Sequence, residues 1–189
     1  MKPKIIKKDG KRYYQVQICD EIRNLPLFKV SPHLEIALFN ILGETKLVEK
    51  VAKTLAKKLP KNIDVIITPE VKSVCLAYEL SKILKVPYIV LRKTLKPYML
   101  NSLSTEVLSI TTGKSQLLHL DGKDRKLLTN KNVCLIDDVI STGSTIEGMR
   151  KMMKKAKAKI VAESAVFTEG EDDTWKNVIS LGHLPLFKS

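Results

Sequence analysis

Hydrophobic and polar positions along this chain switch between a two-residue and a helical period, and the switches mark its elements. Lys4 to Lys8 and Lys11 to Ile18 are β-rich runs joined by Asp9-Gly10, a pair that accepts positive φ at both turn positions, which predicts a tight hairpin. Leu25 to Asn40 is apolar but interrupted by Pro26 and Pro32. Proline removes a ladder donor, so this stretch reads as loop followed by a strand over Leu34 to Phe39. Between Glu44 and Leu59, residues Leu47, Val48, Val51, Ala52, Leu55 and Leu59 recur at helical spacing, opposite a face bearing Lys46, Lys50, Lys53 and Lys57.

Ile63 to Thr68 reads as a strand, Ser73 to Leu84 as a helix and Pro87 to Leu91 as a second strand, a βαβ unit that implies a parallel sheet. A polar segment runs from Arg92 to about Thr105. Val107 to Ile110 and Gln116 to Leu120 form the arms of a small antiparallel excursion around Thr112-Gly113. Val133 to Ile136 returns to the sheet, Thr145 to Lys157 is helical, and Lys159 to Phe167 is a strand. Trp175 to Phe187 is a helix fragment or loop that ends in an edge strand. The expected class is α/β, a doubly wound and mostly parallel sheet behind an N-terminal β-hairpin. At 189 residues with no linker-like composition, a single domain over 1–189 is expected.

The chemistry concentrates in Val133 to Thr145. A short apolar run ends in Asp137-Asp138 and continues as Val139-Ile140-Ser141-Thr142-Gly143-Ser144-Thr145. Ligands of open α/β sheets sit beyond the carboxyl ends of strands, where these two acids leave the apolar layer. Adjacent carboxylates repel, and they persist where hydroxyls donate to them or a hard cation such as Mg²⁺ bridges them through water. The small residues that follow bring backbone N–H groups together at a helix start, Gly143 permits close approach, and a phosphate monoester suits the pocket.

This stretch resembles the signature of the type I phosphoribosyltransferases, enzymes that use phosphoribosyl pyrophosphate (PRPP). The resemblance implies that Asp137 and Asp138 face the ribose hydroxyls and hold Mg²⁺ indirectly, and that Val139 to Thr145 hold the 5′-phosphate. It divides the chain into a hairpin and hood (1–42), a core (44–168) and a C-terminal cover (169–189). Arg92-Lys93 with Lys96 is similar to the Arg-Lys-x-x-Lys segment of the adenine/xanthine branch, whose cations hold pyrophosphate while an oxocarbenium-like transition state forms.

The chain departs from the family at Thr68-Pro69-Glu70-Val71-Lys72-Ser73, the position of the pyrophosphate turn, which here has Glu70 and no glycine. Two readings stay open. Lys72 and Ser73 contact pyrophosphate, or Lys72 is an exposed lysine at a helix start. Lys93 to Gln116 has the length of a lid. Where adenine enzymes carry a glutamate before Tyr-Gly, this chain has Thr111, with Glu106 close in sequence. In the hood, Leu25, Leu27, Phe28 and Asn40 form a base slot or, equally, core and dimer contacts.

Cys19, Cys75 and Cys134 stand singly, and His33, His119 and His183 have no ligand or triad spacing, so zinc and disulfide frameworks are not expected. Trp175 alone makes no stacking platform. The net charge of +13 favours polyanionic partners, although solvated lysine faces account for it equally. No signal-like or membrane-spanning run is present, which leads to the expectation of a cytoplasmic protein with no membrane or nucleic-acid partner. The resemblance implies a homodimeric purine phosphoribosyltransferase, adenine-type or xanthine-type, that takes PRPP and a free nucleobase. The alternatives are a catalytically impaired regulator that binds PRPP or nucleotide on the same fold, and an orotate-type enzyme.

Overall fold

The structure, a computed structural model, describes residues 4–108, 115–170 and 173–188. Strands β1 (Lys4–Lys8), β2 (Lys11–Ile18), β3 (Glu21–Ser31) and β4 (Leu34–Ala37) form an antiparallel meander. Helix α1 (Thr45–Lys58) follows, then β5 (Val65–Pro69), α2 (Val74–Leu84) and β6 (Tyr88–Leu91). An antiparallel pair, β7 (Leu103–Leu108) and β8 (Ser115–Leu120), precedes β9 (Asn132–Ile140), α3 (Ser144–Lys155) and β10 (Lys159–Glu169). The chain closes with β11 (Gly182–Leu184) and β12 (Phe187–Lys188).

The parallel sheet has the order β11-β10-β9-β5-β6, and the antiparallel sheet the order β1-β2-β3-β4-β12. The second sheet exceeds the expected hairpin. Pro26 does not break β3, because its carbonyl faces Leu38, one rung beyond the end of β4, where the Leu38 N–H donates to it at 2.9 Å. Its missing donor therefore falls outside the β3–β4 ladder. The segment Trp175 to Phe187 contains no helix, and its last strand joins the antiparallel sheet instead of the parallel one.

Two apolar clusters cover the parallel sheet. Ile66 belongs to the first and its neighbours Val65 and Ile67 to the second, the two-residue period of a strand buried on both faces. The first cluster joins Leu55 of α1 and Leu76 of α2 to Ile18, Leu25 and Phe39 of the N-terminal region. The second holds Met149 and Met152 of α3 against Leu135, Val107 and Leu118. Close contact between α3 and the β7–β8 pair requires Gly148, where a Cβ would lie 2.1 Å from Val107 Cγ2. The lid expected over Lys93 to Gln116 thus has paired arms seated on α3, while Thr111 and the rest of its tip lie outside the described residues.

Of the cysteines, Cys134 is buried and Cys19 and Cys75 are half-buried, all as free thiols. No helix among the described residues is long and apolar enough to cross a membrane.

Phe167 links the layers. Its fully buried ring meets Phe39 edge-on with centroids 5.0 Å apart, and a Cβ on Gly182 would lie 2.9 Å from it. Phe167→Ala is expected to cost about 3–5 kcal/mol, read as a fall in the denaturant midpoint with the slope unchanged.

Candidate active site

The order in which strands are added to the sheet reverses between β5 and β9, which run parallel. From β5 the chain passes through α2 to β6 on one side, and from β9 through α3 to β10 on the other, so the carboxyl ends of β5 and β9 flank a crevice. Asp137 and Asp138 lie there, still within β9, which continues through Val139 and Ile140 before the loop begins.

The two acids are compensated differently. Asp137 Oδ1 accepts the Asp138 N–H at 2.8 Å and the Ser73 hydroxyl at 3.1 Å, and the Thr68 hydroxyl donates to Ser73 at 2.8 Å. Burial and the adjacent Asp138 carboxylate raise the Asp137 pKa above the usual range. Asp138 is buried, and its Oδ2 makes an ion pair at 2.6 Å with Nζ of Lys72, on the turn after β5. Ser73, a candidate pyrophosphate donor in the sequence, is itself buried and directed at Asp137.

The loop Ser141 to Gly143 and the first residues of α3 surround a cavity of about 110 Å³ lined by Asp137 and Val139 to Ile146. Thr142 and Ser144 hydroxyls are 3.1 Å apart. Gly143 has φ of 84°, and a Cβ there would lie 2.6 Å from Trp175 Cη2. The indole N–H of Trp175 is shared between the carbonyls of Ser141 at 3.1 Å and Glu169 at 3.2 Å. Glu169 is buried at the end of β10; burial raises its pKa, and a hydrogen bond with Ser141 opposes the rise. Neither Glu169 nor Trp175 stood out in the sequence. The one available signal was that Glu169 follows a core strand on the ligand side.

A second cavity, of about 270 Å³, adjoins the acids and is lined by Pro69 to Lys72, Lys93, Asp137 to Val139 and Thr145. Glu70 spans to the end of β6, where its Oε1 accepts the Lys93 N–H at 2.5 Å and its Oε2 pairs with Arg92 Nε at 2.7 Å. The Glu70–Val71 peptide is cis. Thus the turn, the acids and Arg92-Lys93 come together, whereas Lys96 is half-buried on the following segment and does not line this cavity.

The base-slot candidates diverge. Leu25 is in the core and Leu27 packs against it, Phe28 is 56% exposed, and Asn40 accepts the Leu42 N–H at 3.2 Å. Leu25 and Asn40 share a separate cavity of about 220 Å³ with Arg23, Pro26, Phe39 and Glu44. Among the described residues no cluster of three or more His, Cys, Asp or Glu side chains could hold a metal ion. His119 is buried with Nδ1 2.7 Å from the Ser104 hydroxyl, and His183 lies 3.0 Å from Thr168 Oγ1.

An acid pair followed by a hydroxyl-rich loop, at the switch point of a parallel sheet, places the molecule among the doubly wound α/β proteins. Residues 37–178 match the phosphoribosyl transferase domain, and the chain belongs to that family. The purine biosynthesis transcriptional repressor PurR of Bacillus subtilis is 31% identical over 144 residues, 76% of this chain and 50% of that protein. Adenine phosphoribosyltransferase of Maridesulfovibrio salexigens is 31% identical over 143 residues, 75% of this chain and 81% of that protein. Among solved structures, adenine phosphoribosyltransferase of Thermoanaerobacter pseudethanolicus aligns with a TM-score of 0.63 at 24% identity, covering 76% of this chain and 84% of that one. The Trypanosoma brucei enzyme, solved with AMP, pyrophosphate and ribose-5-phosphate, gives a TM-score of 0.63 at 19% identity, covering 82% and 73%. The chain spans about half the length of the purine regulators it matches, 50% and 52%.

Gly143→Ala places a Cβ both in a left-handed conformation and against the indole. The expected loss is at least about 1–2 kcal/mol from the backbone alone. Denaturation followed through Trp175, the sequence's single tryptophan, measures it together with the altered emission of the native state.

Proposed function

We propose that this chain transfers phosphoribose from PRPP to a free purine base, adenine-type in the first instance and xanthine-type in the second, releasing pyrophosphate. The observation that carries the reading is the adjacency of the two cavities at one acid pair. The cavity of about 110 Å³ offers loop amides and hydroxyls to a 5′-phosphate, and the cavity of about 270 Å³ offers Lys72 and Lys93 to pyrophosphate.

In this reading Asp137 and Asp138 accept from the ribose hydroxyls. Ser73 fixes the Asp137 carboxylate, and Glu70 holds Arg92 and Lys93 at the leaving-group side, with Lys96 joining them from the next segment. Cations placed there stabilise charge as it develops on the departing pyrophosphate, so they act more strongly on the transition state than on bound PRPP. The acid pair would hold a hydrated Mg²⁺ once Lys72 leaves Asp138 Oδ2, and among the described residues no cluster of three or more His, Cys, Asp or Glu side chains would bind the ion directly. When bound, Mg²⁺ supplies positive charge to the pyrophosphate oxygens. Residues 1–42 serve as hood, with Leu25 and Asn40, which share one cavity, as the base contacts, 169–189 serve as cover, and the active form is a cytoplasmic homodimer.

A second reading is favoured by one observation. Lys72 fills the acceptor of Asp138, and a site whose ribose contact is self-occupied suits a PRPP-responsive regulator. Incubation with Mg²⁺, PRPP and a panel of free bases separates the two. Base-dependent pyrophosphate release with a nucleoside monophosphate as product is the expected result, and PRPP binding without turnover on any base would favour the regulator. Asp138→Asn is expected to weaken PRPP binding about tenfold or more, because a charge-assisted contact is lost. Calorimetric titration checks this, and unchanged affinity would remove Asp138 from the site.

A further inference from the structure

We infer that Lys72 makes ribose binding at Asp138 conditional on an anion in the neighbouring cavity, so that the site discriminates PRPP from ligands that carry a 5′-phosphate and ribose but no pyrophosphate. This inference rests on the reading of the site as a PRPP site.

The Asp138 side chain is 5% exposed, and its pairing with Lys72 at 2.6 Å occupies Oδ2. A ribose hydroxyl that donates to Oδ2 meets the ammonium there and competes with it for the oxygen. Removing the ammonium from the buried Asp138 carboxylate is costly unless the acid finds a new partner. The hydroxyl is the new partner of Asp138. Lys72 finds none on its own turn, because Glu70 is already held by Arg92 and by the Lys93 N–H.

The adjoining cavity lies within reach, since Lys72 lines it together with Lys93 and Thr145. A pyrophosphate seated there receives the ammonium as the ribose takes Asp138, and both charges stay paired. Ribose 5-phosphate or a nucleoside monophosphate places nothing there, and Lys72 competes with the sugar for Asp138. With a side chain 44% exposed on a turn ahead of α2, Lys72 can swing without repacking the core. The consequence is positive coupling between two anions that bind different cavities, and it is reciprocal by linkage. Lys72 is thus a specificity-determining residue that acts by changing partner. The glycine-free turn, which departs from the family pattern, gains a purpose.

The test measures Kd for ribose 5-phosphate at fixed Mg²⁺, with and without saturating inorganic pyrophosphate, in the wild type, Lys72→Met and Lys72→Arg. In the wild type, pyrophosphate should tighten ribose 5-phosphate about fivefold or more, in the range of ordinary coupling energies. In Lys72→Met, ribose 5-phosphate alone should bind several-fold tighter than in the wild type, and added pyrophosphate should change it less than about twofold on the same scale. Lys72→Arg should restore the coupling. Coupling of wild-type size in Lys72→Met, or no tightening of ribose 5-phosphate alone, overturns the inference while leaving the PRPP reading intact if PRPP binds. Absence of PRPP binding to the wild type overturns both. Should Lys72→Met fail to fold, Lys72→Gln provides the same comparison.

Discussion

Two adjacent carboxylates inside a strand are the constraint on which this structure turns. Desolvation and mutual repulsion would expel Asp137 and Asp138 from the end of β9 unless each were compensated, and the compensation comes from elements far apart in sequence. Ser73, itself held by Thr68, fixes one acid, and Lys72 fixes the other. Both belong to the β5–α2 turn, so the pairing of β5 with β9 is also what solvates the acids. Glu70 on the same turn then carries the order outward to Arg92 and Lys93 at the end of β6. Sheet topology and site chemistry are one arrangement seen at two scales.

Much of this was legible in the sequence. The run Val133 to Thr145, the amphipathic spacing of α1 and the βαβ unit from β5 to β6 are local patterns in which neighbouring residues already determine the outcome. What escaped depends on partners distant in the chain. Pro26 reads as a breaker until β4 is seen to end before its rung. Glu70 reads as an anomaly in a phosphate turn until it is seen on Arg92. Trp175 reads as a lone aromatic until its ring is found against Gly143, so this glycine answers to a side chain distant in sequence. Ser73 reads as a helix-start serine until its hydroxyl is found on Asp137.

Family membership does not by itself choose between catalysis and sensing, since relatives bear names of both kinds. The difference has to lie in how the site treats its ligand. In the proposed reading the distinguishing parts are side chains on one turn, Glu70 and Lys72, which lie outside the strands of the sheet. One fold therefore carries names of both kinds, and the fold alone does not fix the role.

The last strand has a consequence for how the molecule assembles. β12 pairs Phe187 and Lys188 with Glu35 and Leu34, and Phe187 packs its ring against Tyr14 at 5.4 Å. On the ribosome the meander emerges early, yet its final edge arrives only after every strand of the parallel sheet has been made. The antiparallel layer is therefore closed by the segment that follows Trp175, whose indole meets Ser141 and Gly143. Such long-range closure raises contact order and slows folding. It ties the last strand of the chain to the first layer that was made.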